Sequence, residues 1–429
     1  MFKNLTQFSL VFVLSTLAVT GLGCDVPVPG GGGPGGLGGG GGGGTVPFTI
    51  VKTDIDVRHD AALRAGDDLI AFGTGVNTGV SYIIPSNAPT VGTAVPNSGD
   101  YDSSAFAVGG DHIFLVGSNT AGLAFQMSVF DAATGAITHT FPTTDIRLGA
   151  IPGSEEDVGN IQADGDFCIV RCDQTTVTDG KIVKVIDAST NPPTLVSFAT
   201  NPAASHFNVS QVDVDAASRQ AVAVANHTFF IYDIDAPNAA PVQIAPPNGI
   251  GDVQIEIAGD YIIAIDNQGY GEAFMVDIAA QAVIALTNPE AAWDVAICDD
   301  LFAFFADADI NDRAGGGQRM AVGAMPGPGS TKAALDQYID GSTGNNGYVG
   351  FGGSMTVTPD GAYVFLSDGY LQYSLGTAVF VVPPDPNASD PYGTPAWDVH
   401  CTEANTVGFK TASDRSATST TKVGYIVLP

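Results

Sequence analysis

The sequence predicts an all-β protein, and three observations carry that prediction. A small or acidic turn followed by an apolar run recurs about eight times between Thr45 and Pro429. The neighbouring segments are short and alternate apolar with polar residues, as half-buried strands do. No stretch keeps apolar residues at helical spacing over three turns. Repeats of roughly 40–50 residues built from short strands are typical of a β-propeller. The apolar runs begin near residues 67, 110, 165, 218, 259, 299, 361 and 404.

One repeat is clearest between Asp252 and Thr287. Its first segment alternates with a period of two, and the turn at Gly259-Asp260 leads into a second, more apolar segment. Two further short segments follow. Four successive strands joined by hairpin turns make a four-stranded antiparallel meander, which is the structure of a propeller blade. The predicted strands of this repeat are 253–257, 261–265, 273–278 and 282–286.

The number of blades depends on how the repeats are counted, because their spacing varies. The widest gap contains a Gly/Pro-rich insertion, Gly315 to Gly344. The final repeat has three clear strands and ends in Val423 to Leu428, so Pro47 to Lys52 can supply its fourth strand from the N-terminal side. Such a closure removes exposed sheet edges, which promote aggregation. We therefore predict eight blades closed by the N-terminal strand, with seven blades as the alternative.

Several predicted third strands end in aspartate, which begins turns because its carboxylate accepts hydrogen bonds from nearby backbone N–H groups. The segment from Asp131 to Gly135 is a turn of this kind. These Asp-containing turns resemble those of quinoprotein-like and WD40-like propeller repeats. The resemblance is to a generic repeat over most of the chain, points to no specific family and brings no catalytic residue with it. The strand-ending aspartates are Asp131, Asp187, Asp233 and Asp277.

The composition restricts the classes of partner. The formal net charge is −30, and only six of the 45 acidic residues are glutamate. Most aspartates are expected to serve as turn residues on a hydrated surface. The negative charge argues against binding nucleic acid through its phosphates and against attraction to anionic lipid. It is compatible with bound cations or with basic partners.

The N-terminal segment predicts export. A short basic start, Met1-Phe2-Lys3, precedes the apolar run from Phe8 to Val19, which is too short to span a bilayer and fits a secretory signal. The run ends in Thr20-Gly21-Leu22-Gly23-Cys24, which resembles a bacterial lipobox. Gly23 and Cys24 match that motif, whereas Gly21 and Leu22 depart from it. The resemblance implies that Cys24 is lipidated and that the protein is held at a membrane, in the periplasm or at the cell surface.

The residues after Cys24 predict the domain organisation. Residues 25–44 are dominated by Gly and Pro and lack apolar periodicity, so they predict a flexible tether. No Gly-Lys-Ser/Thr follows the glycines, which excludes a phosphate-binding loop. We predict a signal peptide in residues 1–23, a tether in residues 24–45 and a propeller domain in residues 46–429.

The remaining cysteines lack the spacing of a zinc site, and neither an H-E-x-x-H nor a G-x-S-x-G motif is present. Cys168 and Cys172 lie four residues apart on one predicted strand, too far for a mutual disulfide. Cys298 and Cys401 follow similar segments, so they either pair in this exported chain or remain buried thiols. Because neighbouring side chains of a strand point to opposite faces, His400 and Cys401 are not expected to act together.

The repeats bring one set of acidic residues into register at the start of the first strands. First strands line the central channel of a propeller, so these carboxylates are expected at one mouth of the channel. Clustered carboxylates favour a hard cation such as calcium, or a polar ligand; the alternative is a set of hydrated aspartates. The four residues are Asp60, Asp252, Asp294 and Asp398. Other repeats carry Ser103, Ser104, Asn160 and Ser354 at the corresponding places.

A second oxygen-rich segment runs from Asp307 to Asp312. Its first, third and fifth positions match an EF-hand loop, but Asp312 replaces the glycine expected at the sixth and Gln318 replaces the glutamate expected at the twelfth. The segment predicts either a looser calcium site or an exposed acidic loop. The candidate metal ligands are Asp307, Asp309, Asn311 and Asp312.

Two function classes are compatible with these features. The first is an exported, membrane-tethered propeller that binds a protein or a glycan as a monomer, with contact regions at Gly315 to Gly344 and Pro383 to Pro395. The alternative is a cation-dependent hydrolase or lyase acting at the channel mouth, and the fold alone does not decide between them. Tyrosines in loop-like segments are candidate contact residues of a binding module. They are Tyr270, Tyr348, Tyr370 and Tyr392.

Overall fold

The structure, a computed structural model, confirms the all-β class and the repeated four-stranded antiparallel sheets. The described part of the chain forms eight sheets, of which seven have four strands and one has five. We number them 1 to 8 in chain order. The described residues are 48–58, 62–75, 79–85, 93–94, 101–118, 125–142, 144–146, 161–172, 181–199, 209–246, 253–266, 272–286, 292–307, 318–326, 332–333, 337–340, 354–367, 371–375, 378–381, 396–411 and 420–429.

The first four sheets are antiparallel meanders of consecutive strands. Sheet 1 contains β2 (Leu63–Ala65), β3 (Ile70–Gly75), β4 (Gly79–Ile83) and β5 (Thr93–Ala94). Sheet 2 contains β6 (Tyr101–Gly109), β7 (His112–Ser118), β8 (Phe125–Asp131) and β9 (Ile137–Thr140). Sheet 3 contains β10 (Ile161–Asp164), β11 (Phe167–Arg171), β12 (Val183–Asp187) and β13 (Thr194–Ser197). Sheet 4 contains β14 (Val209–Asp215), β15 (Gln220–Ala225), β16 (Thr228–Asp233) and β17 (Val242–Ile244).

The later sheets include two departures from simple meanders. Sheet 5 contains β18 (Val253–Ala258), β19 (Tyr261–Asp266), β20 (Glu272–Asp277) and β21 (Ala282–Leu286), and the short β25 (Lys332–Ala333) pairs with β21 in parallel. Sheet 6 contains β22 (Ala292–Ile297), β23 (Leu301–Asp307), β24 (Gln318–Ala324) and β26 (Gln337–Asp340). Sheet 7 contains β27 (Ser354–Val357), β28 (Tyr363–Ser367), β29 (Leu371–Leu375) and β30 (Ala378–Val381).

Sheet 8 combines strands from distant parts of the chain. Its first three strands are β31 (Ala396–Cys401), β32 (Thr406–Thr411) and β33 (Thr420–Val427), and the fourth is β1 (Thr49–Arg58). β1 pairs antiparallel with β33, with a shift in register between Lys52 and Asp56. The pairing continues beyond the predicted segment, which stopped at Lys52.

In the part of the chain that the structure describes, the hydrophobic core consists of eight clusters, each of which lies between two neighbouring sheets. The second strand of sheet 4 shows why its sequence is continuously apolar. Ala221 and Ala223 pack against sheet 3, whereas Val222 and Val224 pack against sheet 5. Both faces of such a strand are therefore buried. One cluster joins sheet 8 to sheet 1 through residues that include Val57 and Leu63.

The strand-ending aspartates begin turns as predicted. The Asp131 carboxylate accepts hydrogen bonds from the Thr134 backbone N–H and hydroxyl, each at 2.7 Å, and Gly135 follows with a φ of +65°. Asp187, Asp233 and Asp277 each accept a backbone N–H two or three residues later. These hydrogen bonds fix where the fourth strand starts.

The segment from Gly315 to Gly344 differs from the prediction, because it contains strands in addition to the expected insertion. Gln318–Ala324 and Gln337–Asp340 are the third and fourth strands of sheet 6. The Gly/Pro composition hid them, since the glycines and prolines lie between the strands. Within the described residues, no helix is long and apolar enough to cross a membrane.

Candidate functional site: a polar central cavity

The first strands of the eight sheets contact one another in chain order, and β31 contacts β2. They line a cavity of ≈ 1390 Å³. Alternation along each strand directs one side chain of every two into this space. Three glutamines lie on consecutive first strands, Gln162, Gln211 and Gln254, and carboxyl groups lie beside them. No phenylalanine, tyrosine or tryptophan among the described residues lines the cavity.

Six of the eleven described carboxyl groups that line the cavity follow a common rule of hydrogen bonding. A side-chain oxygen on one first strand accepts the backbone N–H of the first strand, or of the turn after it, in the next sheet. Asp294 accepts from Met355 at 2.6 Å, and Asp398 accepts from Leu63 at 3.1 Å. Ser354 takes the same role with its hydroxyl, which accepts from Val399 at 2.7 Å. We call these contacts inter-sheet latches.

Sheets 3 to 6 are joined by latches further along the strands. Asp164 accepts the N–H of Ala216 at 2.6 Å. Asp213 accepts the N–H of Ile257 at 2.9 Å, and Asp215 accepts that of Gly259 at 2.8 Å. Glu256 accepts the N–H of Ile297 at 3.2 Å. Where sheet 2 meets sheet 3, the equivalent position is Gly109, and a Cβ there would lie 2.6 Å from the carbonyl oxygen of Gly165. The backbones touch directly at that point, and a side chain has no room.

Asp294 is buried, with 7% of its surface exposed. Gln254 donates its amide to Oδ1, and the Val295 N–H donates to the same oxygen at 3.0 Å. Burial nevertheless raises the pKa of Asp294 to about 7, because desolvation outweighs these hydrogen bonds. A large fraction of this carboxyl is therefore protonated at neutral pH.

Asp213 and Glu256 have the same tendency. Burial raises the pKa of Asp213 to about 8, and the charges of Asp164 and Asp215 raise it further. Burial also raises the pKa of Glu256, assisted by the charges of Asp294 and Asp213. With pKa values of about 8 and about 7, Asp213 is mostly protonated and Asp294 partly protonated at neutral pH, and a protonated carboxyl both donates and accepts hydrogen bonds.

Asp398 has the opposite character. Its burial alone would raise its pKa, but the hydrogen bond from His400 and the charges of Lys410, His400 and Arg64 hold the pKa below the ordinary value. Lys410 Nζ lies 3.4 Å from Oδ2, and His400 Nε2 lies 3.4 Å from Oδ1. Arg64 Nη1 lies 3.4 Å from His400 Nε2. Sheets 8 and 1 therefore contribute the charged side of the cavity.

The structure brings only part of the predicted site together. Asp294 and Asp398 both line the cavity, and both are engaged in latches. Ser354 joins them through a hydrogen bond of 3.0 Å to Asp398 Oδ1. Asp60 and Asp252 lie outside the described residues.

Several other predicted features also fall outside the described residues. Those residues are Asp309, Asn311, Asp312, the four loop tyrosines and the segment from Pro383 to Pro395. The end of β23 includes Asp307, whose side chain is not described. The signal segment, Cys24 and the tether precede residue 48, where the described part begins.

Metal ligation and disulfide formation can be assessed for the described part of the chain. It contains no group of three His, Cys, Asp or Glu side chains arranged to hold a metal ion. Among the described cysteines, Cys168, Cys298 and Cys401 form no disulfide. The carboxyls of the latches accept hydrogen bonds from backbone amides of the next sheet, which spreads those carboxyls around the wall of the cavity.

Sequence reasoning missed Asp213, Asp215 and Glu256. Counted from the turn that follows each first strand, these residues lie two or four positions closer to the turn than Asp294 does. The prediction compared only one position before that turn, so it did not include them. A detectable signal was present in β14, where Gln211, Asp213 and Asp215 alternate with buried valines. Polar residues on one face of an otherwise apolar strand indicate a polar interior.

Comparison with protein-family models finds no match, and comparison with curated proteins finds none either. Solved structures show weak similarity. A chain in "Crystal Structure of Mitotic Checkpoint Complex" has 10% identity and a TM-score of 0.49, covering 78% of this chain and 95% of that one. A chain of Kuenenia stuttgartiensis hydrazine synthase has 13% identity and a TM-score of 0.44, covering 76% and 94%. The computationally designed Ika8 protein has 13% identity and a TM-score of 0.44, covering 75% and 82%.

Proposed function

We propose that the eight sheets are the eight blades of one closed β-propeller. The support is that each of the eight core clusters lies between two neighbouring sheets, and that sheet 8 packs on sheet 1. The β1–β33 pairing supplies the fourth strand of the last blade. The central cavity is then the channel of this propeller.

The chain is an exported lipoprotein in this proposal. Residues 1–23 are the signal peptide, Cys24 carries the lipid, and residues 24–45 are the tether. The support comes from the sequence: a basic start, an apolar run of signal length and a cysteine preceded by glycine. Such an arrangement holds the propeller near a membrane surface.

The function of the propeller is to bind a glycan in the central cavity. The observation that carries this proposal is the lining of the cavity, which combines glutamine amides with carboxyls of raised pKa. Amides and neutral carboxylic acids both donate and accept hydrogen bonds, as the hydroxyl groups of a sugar require. Because no described ring of Phe, Tyr or Trp lines the cavity, recognition relies on hydrogen bonds and not on stacking. A cation-dependent hydrolase or lyase receives no support from the described residues, which lack a metal-holding group.

The test is a glycan-array experiment with the full chain and two tryptophan variants. Gln211→Trp places a large side chain in the cavity without removing a latch. Ile137→Trp places the same side chain on the exposed edge of sheet 2, where Ile137 is 43% exposed. We expect the wild type and Ile137→Trp to bind the same glycans and Gln211→Trp to lose at least about tenfold in affinity. Absence of any bound glycan, or equal binding by all three proteins, would refute the proposal and leave a protein partner as the class to test.

A further inference from the structure

Three of the inter-sheet latches hold a carboxyl without a counter-charge. In the latch of Asp398, by contrast, Lys410 Nζ lies 3.4 Å from Oδ2 of the carboxylate. Among the described residues, no lysine, arginine or histidine forms an ion pair with Asp213, Glu256 or Asp294. Asp294 is buried and the other two are only partly exposed, so neither a cation nor bulk water stabilises their charged forms.

These three latches follow one another along the wall of the central cavity. Their carboxyls lie on β14, β18 and β22, and each of these strands contacts the next. Each latch joins its sheet to the following one, so the row runs from sheet 4 through sheets 5 and 6 to sheet 7. We call Asp213, Glu256 and Asp294 the carboxyl seam. Glu256 lies in the middle, where the charges of both other members act on it.

The other charged groups that face the carboxyl seam are also acidic. Asp164 on β10 and Asp215 on β14 act on Asp213. Asp398 on β31 acts on Asp294. Each of these charges opposes ionisation of the seam, because like charges disfavour the charged form.

The strands packed against the first strands bring no compensating charge to the carboxyl seam. β15 and β27 contain no ionisable side chain. Tyr261 on β19 lies against two aspartates of its own sheet, Asp260 and Asp277. Arg171, the last residue of β11, forms no ion pair with the seam.

Ionisation of the carboxyl seam therefore destabilises the closed arrangement. Burial raises the pKa of Asp213 to about 8 and that of Asp294 to about 7, and it also raises the pKa of Glu256. The stabilisation by the protonated seam is complete below the ordinary carboxyl pKa of about 4 and is lost as the pH rises through 7 to 8. Above that range, separation of the sheets lets water reach the carboxylates and lowers the cost of their charges.

We propose that the carboxyl seam is a pH-responsive closure: in its protonated form it holds sheets 4 to 7 together, and its ionisation in alkaline solution opens these junctions before any others. The junction of sheets 8 and 1 stays closed, because Lys410 compensates the charge of Asp398 there. The opening admits water along one side of the central cavity. This device does not depend on glycan binding.

The experiment is hydrogen–deuterium exchange of the full chain at pH 6 and pH 9, with protection corrected for the intrinsic effect of pH on exchange. The reporters are the latched amides of Ile257, Ile297 and Met355, and the latched amide of Leu63 is the internal control. We expect the reporters to lose at least about tenfold in protection at pH 9, whereas Leu63 keeps its protection.

Glu256→Gln tests whether charge on the carboxyl seam is the cause. Glutamine keeps an oxygen for the Ile297 N–H and cannot ionise, so the reporters should lose less than about threefold. Asp277→Asn is the matched control, since Asp277 is a buried carboxyl of the same sheet outside the seam, and it should respond as the wild type does. If Glu256→Gln does not fold, Asp294→Asn takes its place with the same expectation.

Three outcomes would overturn the proposal. The first is equal protection of the reporters at pH 6 and pH 9. The second is an equal loss at Leu63, which would show that the whole protein unfolds and not the seam alone. The third is a loss that persists at full size in Glu256→Gln or its substitute.

Discussion

The carboxylate of Asp398 accepts the backbone N–H of Leu63 at 3.1 Å, although 335 positions separate the two residues in the sequence. This hydrogen bond joins the first strand of sheet 8 to the first strand of sheet 1. The same carboxylate also faces Lys410, whose side chain is 6% exposed. One side chain thus connects the two sheets and compensates a buried cation.

Asp398→Asn should destabilise the protein strongly. The amide retains an acceptor for Leu63 but removes the negative charge opposite Lys410, and an uncompensated buried charge typically costs about 3–5 kcal/mol. Urea unfolding of the full chain measures the change. The control is Asp56→Asn, which breaks the exposed pair with Lys422 and should cost less than about 1 kcal/mol. Equal effects of the two substitutions would show that Asp398 does not act through the buried pair.

The buried carboxyls predict a stability that depends on pH. The pKa of Asp213 is raised to about 8, so between the ordinary carboxyl pKa near 4 and pH 8 the folded state retains a proton that the unfolded state releases. Its contribution is complete below pH 4 and is lost as the pH rises toward 8, with a slope of up to about 1.4 kcal/mol per pH unit. The melting temperature should fall over this range.

Asp213→Asn tests the origin of that slope. Asparagine keeps an oxygen for the Ile257 N–H and cannot ionise, so the variant should show a shallower decline and should melt above the wild type at pH 8. Asp235→Asn is the control, since Asp235 is exposed and its pKa is lowered by the hydrogen bond from Arg219. If the melting temperature of Asp213→Asn depended on pH as it does in the wild type, the pH dependence would not arise from the Asp213 carboxyl.

Calcium binding, predicted from the sequence, can be assigned by experiment to one of the two candidate sites. Asp294 and Asp398 are engaged with backbone amides and other side chains, so we expect any calcium-dependent rise in melting temperature to arise from residues 307–312. Asp309→Asn should abolish such a rise, and Asp294→Asn should leave its size unchanged. Thermal unfolding with calcium and then with a chelator measures both. Loss of the rise in Asp294→Asn, together with an unchanged rise in Asp309→Asn, would place the calcium site in the central cavity instead.

If Cys24 is lipidated as proposed, the protein should associate with membranes in a bacterial host. Cys24→Ser should shift the chain from the detergent phase to the aqueous phase in a phase-partition experiment, because the acyl chains supply the membrane affinity. Cys401→Ser, which changes a thiol within sheet 8, should partition like the wild type. Identical partition of all three proteins into the aqueous phase would exclude the anchor.

The sequence was sufficient for the strand repeats because each second strand is apolar on both faces, as in β15, and because Asp131 and its counterparts mark the turns. It was insufficient for sheet 6, where glycines and prolines around Gln318–Ala324 concealed a strand. The inter-sheet latches could not be predicted from the sequence either. Whether Asp294 is hydrated or bonded to Met355 depends on the register between two separate sheets, and no local pattern specifies that register.

For the site, the positions of Asp294 and Asp398 on first strands could be read from the sequence, and a function for them stays a prediction. Asp294 and Asp398 were placed on first strands from their spacing, and both do line the central cavity. Their different protonation was not predictable, because it depends on Lys410 and His400 approaching one carboxylate and not the other.

The pairing of β1 with β33 has a consequence for biosynthesis. β1 is made before the strands of the seven other sheets, whereas its partner β33 is made after them. Until then, sheet 8 cannot assemble, and the inner faces of sheets 1 and 7 that pack against it stay uncovered. The contacts of sheet 8 with sheets 1 and 7 can therefore form only after all the strands between β1 and β33 have been made.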